Sequence, residues 1–311
     1  MVLEFLRPPV NWKAKVAIQA VLAHIPGGEA VNYRLQWANG RYTAERLKRR
    51  TLDQAAKLRQ LLPHVREGVI VDVGTGWELI APILFHLMGA NQVYTYDHLR
   101  HLRFEIPNIV ISQLGASELS ASLGLDSALL DSRIERLKQC HTLDDLLTAA
   151  NITYCAPADA CNTGLPSGSV DLFFTYEVLE HMPESVLNGL VVESKRVLKP
   201  SGIAYHAIEP GDHYTRDTSH INHYRYPEWL WSLLIKNNIS YHNRLCQRQF
   251  RECFERHGAI IQSTHDQVSK DDLANLRNGF RLDKRFKAFS PDELAIWYAE
   301  FIYGFSTEFQ S

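Results

Sequence analysis

The stretch Val69-Ile70-Val71-Asp72-Val73-Gly74-Thr75-Gly76-Trp77-Glu78 constrains this chain more than any other. An apolar run ends at an acid and two closely spaced glycines, and Leu79 to Met88 then read as helix. That is a strand, a tight turn and a helix start. Glycine lets the backbone approach a ligand there, and the helix start presents unpaired N–H groups to it. A second apolar run, Gln92-Val93-Tyr94-Thr95-Tyr96, closes on Asp97. In nucleotide-binding α/β folds an acid at that point accepts from ribose hydroxyls. Together the two runs point to an adenosine-containing cofactor. They do not suit a dinucleotide, because the third glycine of G-x-G-x-x-G would fall at Leu79, and Trp77 and Glu78 stand beside the turn. Taken alone, the first motif also allows a tight glycine turn in a ligand-free α/β protein.

The second half of the pattern narrows the choice. Asp159-Ala160 follows the apolar run Ile152-Thr153-Tyr154-Cys155-Ala156. Leu165-Pro166 and Ser169 precede a strand, Val170 to Tyr176, which runs into Glu177-Val178-Leu179-Glu180-His181. A helix is expected from Glu184 to Leu198, with Val186, Leu187, Leu190, Val191, Val197 and Leu198 on its apolar positions. Lys199-Pro200-Ser201-Gly202 breaks it, and a strand, Ile203 to Ile208, follows.

This order of motifs, over roughly residues 67–210, resembles the class I S-adenosylmethionine-dependent methyltransferases. The resemblance implies an α/β, Rossmann-like fold: a mostly parallel seven-stranded sheet with helices on both faces and an antiparallel last strand. It implies S-adenosyl-L-methionine as cofactor, bound around Asp72, Gly74, Thr75 and Gly76, with the two glycines against the methionine part. Asp97 would hold the ribose hydroxyls, with His98 beside it. Asp159 would accept from the adenine amino group, Ala160 would lie beside the ring, and Tyr176 and Glu177 would line the pocket after the fourth strand. The implied reaction is methyl transfer to a hydroxyl of a small molecule or saccharide. Nitrogen, carbon and protein acceptors remain open. A non-catalytic scaffold would be expected to have lost Asp97, Asp159 or the glycines, and all are present. A nicotinamide oxidoreductase is disfavoured by the missing third glycine and by Asp159-Ala160.

Two clusters are candidates for the reactive centre. Glu177, Glu180 and His181 resemble the E-x-x-E-H segment of ubiquinone-biosynthesis O-methyltransferases, a family in which that segment is associated with a divalent metal. Three readings stay open for it: bracing of the loop, general acid or base work at His181, or metal binding. No metal is assigned. The second cluster is the polar segment Gly211-Asp212-His213-Tyr214-Thr215-Arg216-Asp217, continuing through His220, Asn222, His223, Tyr224, Arg225 and Tyr226. It follows strand five and should flank the acceptor pocket. A histidine can take a proton from a hydroxyl near neutral pH, and His213 is the first choice, ahead of His181. The alternative is that these side chains order the loop through backbone hydrogen bonds. The spacing of His220 and His223 suits a metal weakly, since no third fixed ligand stands near in sequence. The dense tyrosines and tryptophans suit a sugar or aromatic acceptor, or core packing.

Composition bounds the rest. With 311 residues, 45% hydrophobic and 22% charged, the chain can bury a sizeable core. A net charge of -2 gives no support for a nucleic-acid partner, and Lys48-Arg49-Arg50 and the run from Arg281 to Lys287 read as solvated helix faces. Cys140, Cys155, Cys161, Cys246 and Cys253 are odd in number and form no C-x-x-C pair, which fits a reducing, cytoplasmic setting. Cys246 and Cys253 read as core residues on one helix face. No run is long enough to span a bilayer and no signal-peptide apolar region is evident, so no membrane attachment is expected. Residues 1–66 read as a helical segment or lid, with helices over Lys13 to His24 and Tyr42 to Leu62. Residues 67–311 form the cofactor domain, with a helical insert at about 112–150 (Ser117 to Leu123 and Ser127 to Gln139) and a substrate-side loop at about 209–227. Helices over Glu228 to Ile235 and Arg248 to His257, a strand over Ala259 to Ser263, and a helix start at Ser290-Pro291-Asp292-Glu293 complete the chain. Leu294 to Phe305 is either the last strand or a helix.

Overall fold

The strand that carries the glycine turn, β1 (Val69–Val73), is an interior strand of a seven-stranded sheet, third from one edge. The computed structural model describes residues 28–215, 218–235 and 241–306, together with Ile18, Val21, Leu22, His24 and Ile25. The helix expected over Lys13 to His24 therefore lies largely outside the described residues, as do Arg216 and Asp217. The other strands are β2 (Gln92–Tyr96), β3 (Ile152–Cys155), β4 (Val170–Tyr176), β5 (Leu198–Ile208), β6 (Ala259–Val268) and β7 (Ile296–Phe305). Their order across the sheet is β3-β2-β1-β4-β5-β7-β6. The first five pair in parallel, and β7 runs antiparallel to both β5 and β6. This is the expected α/β fold.

The sequence runs explain the layers. Central parallel strands are covered on both faces and so read as continuous apolar stretches. Alternate residues then point to opposite sides. Ile70, Leu172, Phe174 and Tyr205 join the core on one face, with Leu84 and Phe85. Val71, Phe173 and Ala204 join the other, with Leu187, Leu190 and Phe254. The strand order reverses between β1 and β4, which opens a crevice beyond the strand C-termini, the usual ligand position in such sheets.

The helices are α1 (Gly28–Ala38), α2 (Ala44–Leu58), α3 (Leu62–Val65), α4 (Ile80–Met88), α5 (Glu105–Ser112), α6 (Ala116–Leu123), α7 (Ser127–Lys138), α8 (Leu143–Ala149), α9 (Glu184–Val197), α10 (Glu228–Ile235), α11 (Gln247–Arg256), α12 (Lys270–Arg277) and α13 (Pro291–Leu294). Every residue of α4 is buried, which accounts for its lack of a polar face. Between β2 and β3 stand four helices, where two were expected. Helix α5 carries Pro107 and spans eight residues, too short for a clear period. Helix α8 is announced by a capping box, the Thr142 side chain accepting from Asp145 N–H and the Asp145 side chain accepting from Thr142 N–H.

Of the two readings open for the aromatic segment after Leu294, the strand holds, starting at Ile296 and paired on its two edges with β5 and β6. Two further expectations are corrected by the fold. Strand β6 runs on to Val268, because β7 is long enough to pair with it throughout. Cys246 precedes α11 as its N-terminal cap and does not share a helix face with Cys253, although both are buried and all five thiols are free.

Candidate active site

The glycine turn is shaped by close approach. Gly74 has φ +89°, and a Cβ there would stand 2.3 Å from Cγ2 of Val178 in the segment after β4. Only glycine satisfies both limits. Gly74 N–H donates to the Tyr96 carbonyl at 2.8 Å, which ties the turn to the end of β2. Gly76, at φ +60°, donates its N–H to Asp97 Oδ2 at 2.9 Å. The Leu99 N–H donates to Asp97 Oδ1 at 3.1 Å, and His98 Nδ1 lies 3.2 Å from the same oxygen. Burial raises the Asp97 carboxyl, but the bonds from His98, Gly76 and Leu99 outweigh it and hold the group below its ordinary range. Asp97 is thus a buried, ionised acceptor at the rim of a crevice. Asp72 lies deeper. Burial raises its pKa to about 7 against the lowering effect of the Thr95 hydroxyl, which donates to Asp72 Oδ2. The Thr75 hydroxyl lies 2.6 Å from Thr95 Oγ1, so Asp72 braces the turn from behind.

Two cavities meet at Gly74. The larger, about 1090 Å³, is lined by Asp97, His98, Asp159, Ala160, Met182 and Tyr241 among others. Asp159 is exposed on its wall, its Oδ1 accepting from the Cys161 N–H at 2.9 Å. The expected ribose and adenine residues are therefore brought together from two separate strand ends, those of β2 and β3. The second cavity, about 650 Å³, is lined by Asp72, Thr75, Gly76, Tyr176 and Glu177, and on its far wall by Arg50, Gln54 and Lys57 of α2. Arg50, expected on a solvated face, instead pairs with the buried Glu78 just after the turn. Tyr33 of α1 stacks on Trp77, with ring centres 4.4 Å apart. The N-terminal helices thus lie against the turn. Lys57 was not legible as a site residue: its partners, Tyr176 and Tyr298, are far away in sequence.

The reactive-centre candidates converge, with one exchange of members. Glu180, His181 and His213 bring one ligand atom each within 4.8 Å of one another, whereas Glu177 is outside this group. Glu177 takes a left-handed backbone conformation, φ +55°, at the end of β4 and faces the second cavity. Glu180 is fully buried with Oε2 unpartnered; burial, then the Glu177 and Glu209 charges, push its pKa well up. His213 lies with Nε2 3.2 Å from Oε2 of the buried Glu209 and 3.1 Å from the Glu209 carbonyl. Its ring is 4.9 Å from that of His181 and 4.8 Å from that of His242. Glu209 and His242 were missed by sequence reading, the first as an ordinary residue ending a strand, the second as one of many loop histidines.

Among the other described loop residues, Asp212 orders the backbone that follows it. Asp212 Oδ1 accepts from the Tyr214 and Thr215 N–H groups at 2.7 and 3.2 Å. His220 stacks on Trp297, while His223 is wholly buried with neither ring nitrogen hydrogen-bonded. The two rings turn to different neighbours, Trp297 for His220 and Tyr224 for His223.

A family profile described as a methyltransferase domain matches residues 120–206, which spans β3, β4 and most of β5. Over that stretch, under a third of its length, the chain is similar to a methyltransferase domain. It is an enzyme, and its cofactor is S-adenosyl-L-methionine. The left-handed turn at Gly74, which opens on both cavities, and the buried acceptor Asp97 fit that group. Among solved structures, a geranyl diphosphate C-methyltransferase from Streptomyces coelicolor, held with Mg2+, geranyl diphosphate and S-adenosyl-L-homocysteine, is 16% identical with a TM-score of 0.44, over 81% of this chain and 77% of that chain. A TehB-like S-adenosylmethionine-dependent methyltransferase from Corynebacterium glutamicum is 13% identical with a TM-score of 0.44, over 90% of this chain and 100% of that chain. No protein of curated function matches the sequence. Among the described residues no helix of this methyltransferase is long and apolar enough to cross a membrane.

Proposed function

We propose that this methyltransferase acts on a hydroxyl of a small molecule or saccharide, with His213 taking the hydroxyl proton. When bound, the cofactor supplies an electrophilic methyl group. The protein's part is then to orient the nucleophile, exclude water and remove a proton. In this reading Asp97 holds the ribose hydroxyls, Asp159 and Ala160 hold adenine, and the turn from Gly74 to Gly76 carries the methionine part. The observation that carries the base assignment is the Glu209 carboxylate 3.2 Å from His213 Nε2. A proton on Nε2, directed to Glu209, leaves Nδ1 as the basic nitrogen, and the carboxylate stabilises the imidazolium that forms. His213→Ala should lower turnover by about 10²–10⁴-fold, the scale of acid–base catalysis, with affinity for S-adenosylhomocysteine unchanged. Turnover is read as S-adenosylhomocysteine release against a panel of phenols, hydroxy acids and methyl glycosides. Joint loss of cofactor affinity and turnover would make the loop a clamp and end the base assignment.

A second reading rests on the grouping of Glu180, His181 and His213. A divalent cation held there would lower the pKa of an adjacent hydroxyl. Turnover abolished by His181→Ala and sensitive to chelators in the wild type would favour this reading over the first.

A further inference from the structure

Lys57 is the one α2 cation set between two strand ends. Its Nζ donates to the Tyr176 hydroxyl of β4 at 3.0 Å and to the Tyr298 hydroxyl of β7 at 2.6 Å. The Tyr298 hydroxyl in turn donates to Glu300 Oε1 at 2.8 Å. Lys57 also stands over the Tyr298 ring, 4.0 Å from its centre. Among the described residues no carboxylate reaches ion-pair distance of Lys57, so both of its hydrogen-bond partners are neutral phenols. Desolvation lowers its pKa, and the charges of Glu300, Glu177, Asp53 and Glu209 oppose that from further off. A half-buried ammonium whose third N–H has no anionic partner is a strong site for an anion, because a charge-assisted bond there replaces lost hydration.

The sheet order places this ammonium. The acids Asp97 and Asp159 lie at the ends of β2 and β3, the glycine turn at β1, and Lys57 beyond it over β4 and β7. Lys57 therefore sits on the side of the turn away from the ribose and adenine residues. It shares the 650 Å³ cavity with the aromatic side chain of Trp297, a size suited to a small ligand. We infer that the Lys57 end of this cavity, away from the glycine turn, is an acceptor subsite for an acidic small molecule, whose carboxylate or phosphate is held by Lys57 between Tyr176 and Tyr298. The inference rests on the methyltransferase reading above and gives the acceptor a second functional group besides the one methylated.

The experiment titrates the full chain, with and without saturating S-adenosylhomocysteine, with benzoate, phenyl phosphate and benzyl alcohol by calorimetry. At least one anion should bind ten times or more as tightly as the neutral alcohol. Lys57→Gln should remove that preference and Lys57→Arg should keep it, while affinity for 5′-methylthioadenosine, which lacks the carboxylate, stays at the wild-type level in both and reports an intact fold. Absence of anion preference in the wild type, or its survival in Lys57→Gln, overturns the inference. So does a tenfold loss of S-adenosylhomocysteine affinity in Lys57→Gln with no anion bound to the wild-type cofactor complex, because the anion is then the cofactor's own carboxylate. Failure of the wild type to bind S-adenosylhomocysteine or 5′-methylthioadenosine would refute the cofactor assignment instead, and the titration without cofactor still scores the anion site.

Discussion

Placing a methyl group at Gly74 tests the central turn directly. Two separate costs act there. An alanine at φ +89° carries left-handed backbone strain of roughly 1–2 kcal/mol. Its Cβ would also stand 2.3 Å from Val178 Cγ2 and 3.0 Å from Cγ1, so one of the two segments must move, an overpacking cost of about 1–3 kcal/mol. Gly74→Ala should therefore lose roughly 2–5 kcal/mol of stability. The two costs separate in a double-mutant cycle with Val178→Ala, which opens the space but leaves φ unchanged. The double variant should recover the packing part, giving a favourable coupling of about 1–3 kcal/mol, and keep the backbone part. Urea unfolding of the four proteins reads the stabilities, and calorimetry with S-adenosylhomocysteine reads the site. A coupling near zero would mean that the turn and the post-β4 segment do not constrain each other, and the close-approach account of Gly74 would fail.

Two other outcomes follow from the same geometry. Asp97→Ala should weaken S-adenosylhomocysteine binding roughly tenfold to a hundredfold, the worth of hydrogen bonds to a charged group, and unchanged affinity in a folded variant would remove Asp97 from the site. His206 is buried between Thr175 Oγ1 and the Tyr303 hydroxyl, both at 2.9 Å, and burial pushes its pKa down to about 3. A histidine depressed in the folded state contributes stability that is full above its unfolded pKa near 6.5 and is lost as pH falls toward 3. The loss approaches about 1.4 kcal/mol per pH unit. The urea midpoint should fall between pH 6.5 and 4 and fall less in His206→Gln; equal slopes in the two proteins would show that His206 is not the group titrating.

Local patterns were legible because local physics writes them. The run into Gly74 reads as strand and turn because buried parallel strands are apolar and because a left-handed turn against another segment admits only glycine. Asp97 and Asp159 stand one and four residues past the ends of β2 and β3, close enough along the chain to be singled out as candidates. The segment from Ile296 was not legible, since eight apolar and aromatic residues interrupted only by Glu300 and Gly304 suit helix or strand until a partner is chosen, and β5 and β6 made that choice. Helices α5 and α8 were too short to show a period.

The sequence by itself determined the fold class, and its candidate cofactor residues lie within a few positions of the strands that present them. Tertiary structure decided which residues meet in the proposed acceptor region. Lys57 meets Tyr176 and Tyr298 across separations of 119 and 241 residues. His181 joins His213, and not Glu177, because the loop after β5 folds back over the end of β4. Arg50 turned from a presumed solvent face to the buried Glu78 because α2 packs against the turn. Each of these is a meeting of polar groups carried by separate elements, and such meetings are fixed by how the layers pack around the sheet, which no local pattern of residues records.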